Sequence, residues 1–140
     1  TEEAIRGIYD SLRATSLAMS EKTVLPGGGA SHSMIAHHVR TEMESEPGRE
    51  RIAMESFARA METIPAVLAE NSGQNPLDKV LKLRSEARNG NCMGIDRDGK
   101  ITSPEGVWHP KSVISGSLET ATETAISMLR IDQVVSARGD

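Results

Sequence analysis

Cysteine, aromatic side chains, long apolar runs and surplus positive charge are all scarce in this sequence, and each scarcity excludes something. The single cysteine, Cys92, has no partner for an intrachain disulfide, so the expected setting is reducing and cytoplasmic. Tyr9, Phe57 and Trp108 are the whole aromatic set. A core must therefore come from Leu, Ile, Val, Ala and the seven methionines, a composition suited to helix-on-helix packing. No apolar stretch approaches the ~20 residues that cross a bilayer, and no secretory hydrophobic segment is visible, so no membrane partner is expected. A net charge of -4 over 140 residues gives no support for a nucleic-acid partner. A bound nucleotide is a different matter, because local donors and a metal ion hold it whatever the net charge. The length suits one domain with one core. Thr1 already falls in the first turn of a helical pattern, so further sequence is expected upstream.

What the sequence does have is helical periodicity. From Glu2 to about Met19, Ile5, Ile8 and Leu12 recur at helical spacing and predict one buried stripe. Pro26-Gly27-Gly28-Gly29 interrupts the pattern and feeds a second helix through Ile35, Val39 and Met43, which the turn Glu46-Pro47-Gly48 ends. Ala53, Phe57, Met61, Ile64 and Leu68 mark the core face of a third helix. Pro65 predicts a kink inside it, and Asn71-Ser72-Gly73 a glycine cap. Asn75-Pro76 starts a fourth helix, as N-cap and first helical residue, that runs to about Arg88. Loose alternation over 92–102 around Asp98-Gly99 predicts a β-hairpin. From Pro110, the stripe Ile114, Leu118, Ala121, Ala125 and Met128 marks a last helix, and Ile131 to Ala137 reads as a final strand whose open edge favours pairing. The expected fold is mainly α: a helical bundle of about five helices, a small β-hairpin and a C-terminal edge strand.

Spacing alone completes no catalytic constellation. Gly27-Gly28-Gly29-Ala30 opens a helix, so its amides can approach a phosphate or ribose, but by itself a glycine run is better explained as a plain turn. The Walker sequence, a glycine loop ending in Gly-Lys-Ser/Thr, is absent. His37 and His38 follow His32 by five and six positions rather than the four that share a helix face. No cysteine or acid completes a ligand set, so the three read as solvated surface histidines and no metal site is expected within the chain. Asp96-Arg97-Asp98-Gly99 has its glycine too early for a calcium loop and reads as a hairpin turn. Asp10, near Arg6 and Arg13, reads as a surface salt-bridge partner.

Several phrases nevertheless match one family in order: Ile8-Tyr9-Asp10-Ser11-Leu12-Arg13, Val24-Leu25-Pro26-Gly27-Gly28-Gly29-Ala30, Ala58-Arg59-Ala60-Met61-Glu62-Thr63-Ile64-Pro65, Leu68-Ala69-Glu70-Asn71-Ser72-Gly73 with Asn75-Pro76, Gly94-Ile95-Asp96, Ala121-Thr122-Glu123-Thr124 and Leu129-Arg130-Ile131-Asp132. Together they resemble the C-terminal third of a group II chaperonin subunit, the class of archaeal thermosomes and the eukaryotic cytosolic chaperonin. The resemblance implies half of a largely helical equatorial domain that binds ATP. The other half, with the phosphate-binding loop and the acid that holds Mg2+, has no counterpart here, nor do the intermediate and apical domains.

Carried over by residue, Asp10 matches the catalytic aspartate that lines up the attacking water. An ordinary carboxylate is a poor base at neutral pH, but phosphoryl transfer depends mostly on positioning. Gly28, flanked by Gly27 and Gly29, matches the glycine whose bare backbone lies against the nucleotide, and Asp96 an acidic contact to the nucleoside end. His109 stands where the family usually has Glu or Asp, and a neutral imidazole accepts one hydrogen bond where a carboxylate accepts several. The paired acids that often precede the catalytic position also read differently here, as Ile8-Tyr9.

Two functions follow as expectations. One is a nucleotide-contacting half of an ATP-driven folding machine. It would be inactive alone as an ATPase, assembled with other chaperonin subunits, and acting on unfolded polypeptides through the parent protein. The other is a non-catalytic structural or assembly fragment that keeps only helix packing and subunit contacts.

Overall fold

The computed structural model describes residues 2–131. Among them are five α-helices: α1 (Glu2–Glu21), α2 (Ala30–Met43), α3 (Glu50–Asn71), α4 (Pro76–Arg88) and α5 (Lys111–Leu129). Four short strands complete the set: β1 (Val24–Pro26), β2 (Gly94–Ile95), β3 (Ile101–Thr102) and β4 (Trp108–Pro110). The mainly helical class and the hairpin expected from the sequence are both present. The terminal strand expected over 131–137 lies, from residue 132 onward, outside the described residues.

The chain divides into two compact units, one of Val24–His109 and one of Thr1–Thr23 with Pro110–Asp140. In the first, α2 packs chiefly on α3, and α4 on both. The buried residues of α2 and α3 are mostly small: Ala30 and Ala36 on α2 and Ala58 and Ala69 on α3 are fully buried. Under α4, Ala69, Leu83 and Ile95 form a buried cluster against which Leu68, Met93 and Ile101 pack. β2 and β3 pair antiparallel, with Gly94 opposite Thr102 and Ile95 opposite Ile101. β1 pairs with β4.

Local signals set the element ends. The Asn75 side chain accepts from the amides of Leu77 (2.9 Å) and Asp78 (3.3 Å), which caps α4 as expected. Gly73, at φ +73, closes α3 with its amide on the Glu70 carbonyl. Pro65 sits within a helix that runs unbroken from Glu50 to Asn71 and is fully buried.

Glu62 joins all three helices of this unit. It leaves α3 with only 8% of its side chain exposed and is gripped by Arg40 of α2 and Arg84 of α4. Arg40 donates to Oε1 at 2.6 Å and to Oε2 at 2.9 Å, and Arg84 at 2.6 and 2.5 Å. Burial alone would push the Glu62 carboxyl up, but the hydrogen bonds from Arg84 and Arg40 outweigh it and hold the group below the usual carboxylate range. Glu55, one helical repeat earlier, accepts from Arg40 and Arg59, and Arg40 above all lowers it to about 2.

The stripes differ from expectation in what they bury. On α3 the buried face is Ala58, Met61, Glu62, Pro65 and Ala69, one position round from the predicted one, and Ile64 is 45% exposed. The reason is the ion network, which turns Glu62 inward. On α1 no residue is buried, and Ile5, Ile8 and Leu12 are each more than 60% exposed. On α5 only Ile114 is buried. Periodicity tells which face of a helix is apolar but not whether anything packs on it. Within this second unit, Glu21 of α1 accepts from the Ser112 amide of α5 at 3.1 Å.

Glu62→Ala leaves Arg40 and Arg84 without their shared counter-ion, and denaturant unfolding of this unit should show a loss of about 3–5 kcal/mol. Arg59→Ala, at a side chain 72% exposed, should cost no more than about 1 kcal/mol. Because Glu55 and Glu62 both titrate below their unfolded value of 4.5, their contribution is complete above that pH. Stability measured against pH should therefore fall from about pH 4.5, and the fall should flatten in Glu55→Gln.

Candidate functional site

A cavity of about 640 Å3 opens in the Val24–His109 unit. It lies within the size range of small-ligand sites. Its floor is the Gly27-Gly28-Gly29 loop with Ile95, and Ile64, Leu68 and Val107 give it apolar walls. Polar groups enter at the edges: Asn71 and Ser72 from the end of α3, His32 from the first turn of α2, His109 from β4, and Asp96 and Arg97 from the β2–β3 turn.

The glycine loop is held by packing on both sides. Gly28, at φ +61, adopts a conformation costly for any other residue, and a Cβ there would stand 2.8 Å from the Ile95 carbonyl oxygen. The Ile95 amide donates to the Gly28 carbonyl at 2.8 Å, so β2 is fastened edge-on to the loop. A Cβ on Gly29, at φ +76, would stand 2.8 Å from Cβ of Pro65. The loop is thus wedged between β2 and α3. The close approach expected of a nucleotide at Gly28 is matched by a close approach of the protein's own backbone. Gly27 lies under Val107 and His109, with Nε2 of His109 3.2 Å from where its Cβ would stand. α2 starts directly from this loop, with the Ala30 amide on the Gly27 carbonyl and the Ser31 hydroxyl donating to Pro26 at 2.6 Å.

Asp96 shapes its own turn. Its Oδ1 accepts from the amides of Asp98 at 2.9 Å and Lys100 at 2.8 Å, which leaves Oδ2 without a hydrogen-bond partner among the described residues. Asp96-Arg97-Asp98-Gly99 is the hairpin turn that the sequence predicts, with Gly99 at φ +77. His32 corrects the expectation of three solvated histidines. It is half-buried in the cavity wall, where burial first and the neighbouring His109 second push its imidazole below the ordinary range. His38 is exposed, as expected, and pairs loosely with Glu42 at 3.9 Å. No cluster of three or more His, Cys, Asp or Glu is placed to hold a metal among the described residues.

Of the six residues singled out in the sequence, Gly27, Gly28, Gly29, Asp96 and His109 line this one cavity. Asp10 belongs to the other unit, exposed on α1 beside a groove that also takes in Arg13, Leu17 and Val113. It is not the salt-bridge partner expected there: Arg13 lies over the Tyr9 ring at 5.5 Å and Arg6 pairs with Glu3 at 3.8 Å. His32, Ile64, Leu68, Asn71 and Arg97 also line the cavity, and nothing in the sequence directly marks them as site residues. Ile64, Leu68 and Asn71 share one face of α3, and the missed signal was that this face continues past the core into the capping turn.

The comparisons with known proteins point one way. The TCP-1/cpn60 chaperonin family matches residues 1–139. A thermosome subunit of Methanocaldococcus jannaschii is 38% identical over 97% of this chain, and one from Methanopyrus kandleri 40% identical over 98%. The chain spans about a quarter of the length of these relatives, 26% of each. Among solved structures, the open-state monomer of a group II chaperonin from Methanococcoides burtonii superimposes with a TM-score of 0.81 at 29% identity. The match covers 90% of this chain and 32% of that one.

Gly28→Ala should cost about 2–3 kcal/mol in thermal or denaturant unfolding, through its backbone conformation and the Ile95 carbonyl together. Gly73→Ala, also at positive φ but with open space around the added carbon, should cost only about 1 kcal/mol.

Proposed function

Since the chain belongs to the TCP-1/cpn60 chaperonin family, we propose that it forms the C-terminal part of the ATP-binding equatorial domain of a group II chaperonin subunit. The carrying observation is convergence: Gly27–Gly29, Asp96 and His109, drawn from three separated stretches of sequence, line one cavity. That cavity fits the nucleoside end of ATP. Ile64, Leu68 and Val107 offer apolar surface to a base. Oδ2 of Asp96, the Asn71 amide and the imidazoles offer partners to ribose hydroxyls.

The described residues do not fit Mg2+, because no acidic cluster is assembled among them. The acid that holds the metal and the phosphate-binding loop then belong to sequence outside this chain. ATP, when bound, supplies the phosphoryl group whose hydrolysis drives the folding cycle. This chain's part is to seat the nucleoside and, through the exposed carboxylate of Asp10, to orient a water molecule. Accepting a hydrogen bond from that water requires only an ionised carboxylate, not a strong base. In the whole subunit this would serve a ring of chaperonin subunits acting on unfolded polypeptides.

A second reading, an assembly module without nucleotide chemistry, is favoured by the exposed Ile5, Ile8 and Leu12 of α1, an apolar stripe suited to subunit packing. Titration with ATP and Mg2+ separates the two levels of organisation. The isolated chain should bind only weakly, and micromolar affinity with turnover would show that it is complete by itself. In the whole subunit, Asp10→Ala should lower ATP hydrolysis on the order of a hundredfold while nucleotide still binds. Unchanged hydrolysis would leave Asp10 with no catalytic part.

A further inference from the structure

Two imidazoles share the cavity, and neither belongs to a metal cluster or an ion pair among the described residues. His32 enters from the first turn of α2, directly after the glycine loop. His109 enters from β4 and lies over Gly27. The ionisable groups facing them are few. The β2–β3 turn supplies Asp96 and Arg97, whereas α3 contributes Ile64, Leu68, Asn71 and Ser72, none of which titrates. One oxygen of Asp96, the only carboxylate in the lining, is already held by two backbone amides. The ionisable groups of the lining are therefore two imidazoles, one guanidinium and one carboxylate, and the last two cancel in charge. With its fixed charges balanced, such a set becomes cationic as soon as either imidazole takes up a proton.

We propose that His32 and His109 form a paired imidazole subsite that accepts an anionic group of the ligand and takes up one proton from solvent as it does so. This rests on the reading of the cavity as a nucleotide site and adds a selectivity to it: a charged nucleotide is preferred over the neutral nucleoside, increasingly so as pH falls. Without ligand, burial first and the neighbouring His109 second hold the His32 imidazole below its ordinary range. An anion between the rings reverses both effects, since it screens the repulsion and accepts N–H donors from each ring. By linkage, a ligand that binds the protonated pair more tightly must itself promote protonation.

The test uses this chain and two adenosine ligands whose charge is constant between pH 5.5 and 7.5: neutral adenosine and the singly charged adenosine 5′-(methyl phosphate). Millimolar titrations followed by NMR report site occupancy through the amides of Gly28 and Ile95, and protonation through the ring signals of both histidines. The charged ligand should bind at least threefold more tightly at pH 5.5 than at 7.5 and raise the midpoint of one ring. Adenosine should change less than 1.5-fold and move neither midpoint. In the His32→Gln/His109→Gln double variant the pH dependence of the charged ligand should vanish while adenosine still binds. Equal pH dependence for both ligands, or charged-ligand binding with unmoved midpoints, overturns the proposal and leaves the nucleoside site standing. If inorganic sulfate moves the midpoints but neither adenosine ligand perturbs Gly28 and Ile95, the anion subsite stands and the nucleotide reading falls. If none of the three perturbs the cavity, both fall.

Discussion

Glu62 is a carboxylate removed from water and repaid by two guanidinium groups from two different helices. Taking it out of solvent is costly, and only the four hydrogen bonds from Arg40 and Arg84 offset the cost. Those bonds need α2, α3 and α4 in one register, because each arginine must reach the same two oxygens. An aliphatic core of small residues would allow the helices to slide. Ala30, Ala36, Ala58 and Ala69 make close approach possible, but they specify its register poorly. The ion network supplies the specificity that the alanines lack.

The candidate site inherits its shape from that register. α3 is held against α2 by Glu62, and one turn further on Pro65 presses on Gly29. The glycine loop is therefore fixed from the α3 side by packing and from the β2 side by the Ile95–Gly28 hydrogen bond. Ile64 and Leu68, on the edge of the same helix, are left as cavity wall. The contacts that stabilise the loop and those that would meet a ligand lie on opposite surfaces of the same few residues. This is why a loop of three glycines is rigid enough to be a floor.

The imidazole pair shows how the same cavity acquires an electrostatic character. A partly desolvated histidine is neutral by default and becomes cationic only when something nearby favours the charge. For His32, the neighbouring His109 adds to the cost of charge that burial already imposes. The pair therefore responds to what enters the cavity rather than to solvent alone. Acid works against the folded unit at both places, since protonation breaks the Glu55 and Glu62 contacts and charges the buried wall.

How much of this was legible in the residues differs element by element. The Asn75 cap, the Gly73 stop, the Asp96–Gly99 turn and five helical periods are local properties, decided by bonds within a few residues, and they read correctly. Gly27–Gly29, Asp96 and His109 were legible as a set only through likeness to a family, since no spacing links residue 28 to residue 109. Burial was the least legible. Ile5, Ile8 and Leu12 carry the period of a core face and face solvent in this chain. Glu62 carries a charge and is buried, because two arginines 22 residues away on either side converge on it. His32 reads as surface in the sequence, and the fold puts it in the cavity wall that His109 also lines. The sequence by itself determined where helices begin, end and turn, because those choices are settled by short-range hydrogen bonding and backbone sterics. Only the tertiary structure decided which polar groups share a cavity and which charge goes inside, because both depend on desolvation by residues distant along the chain.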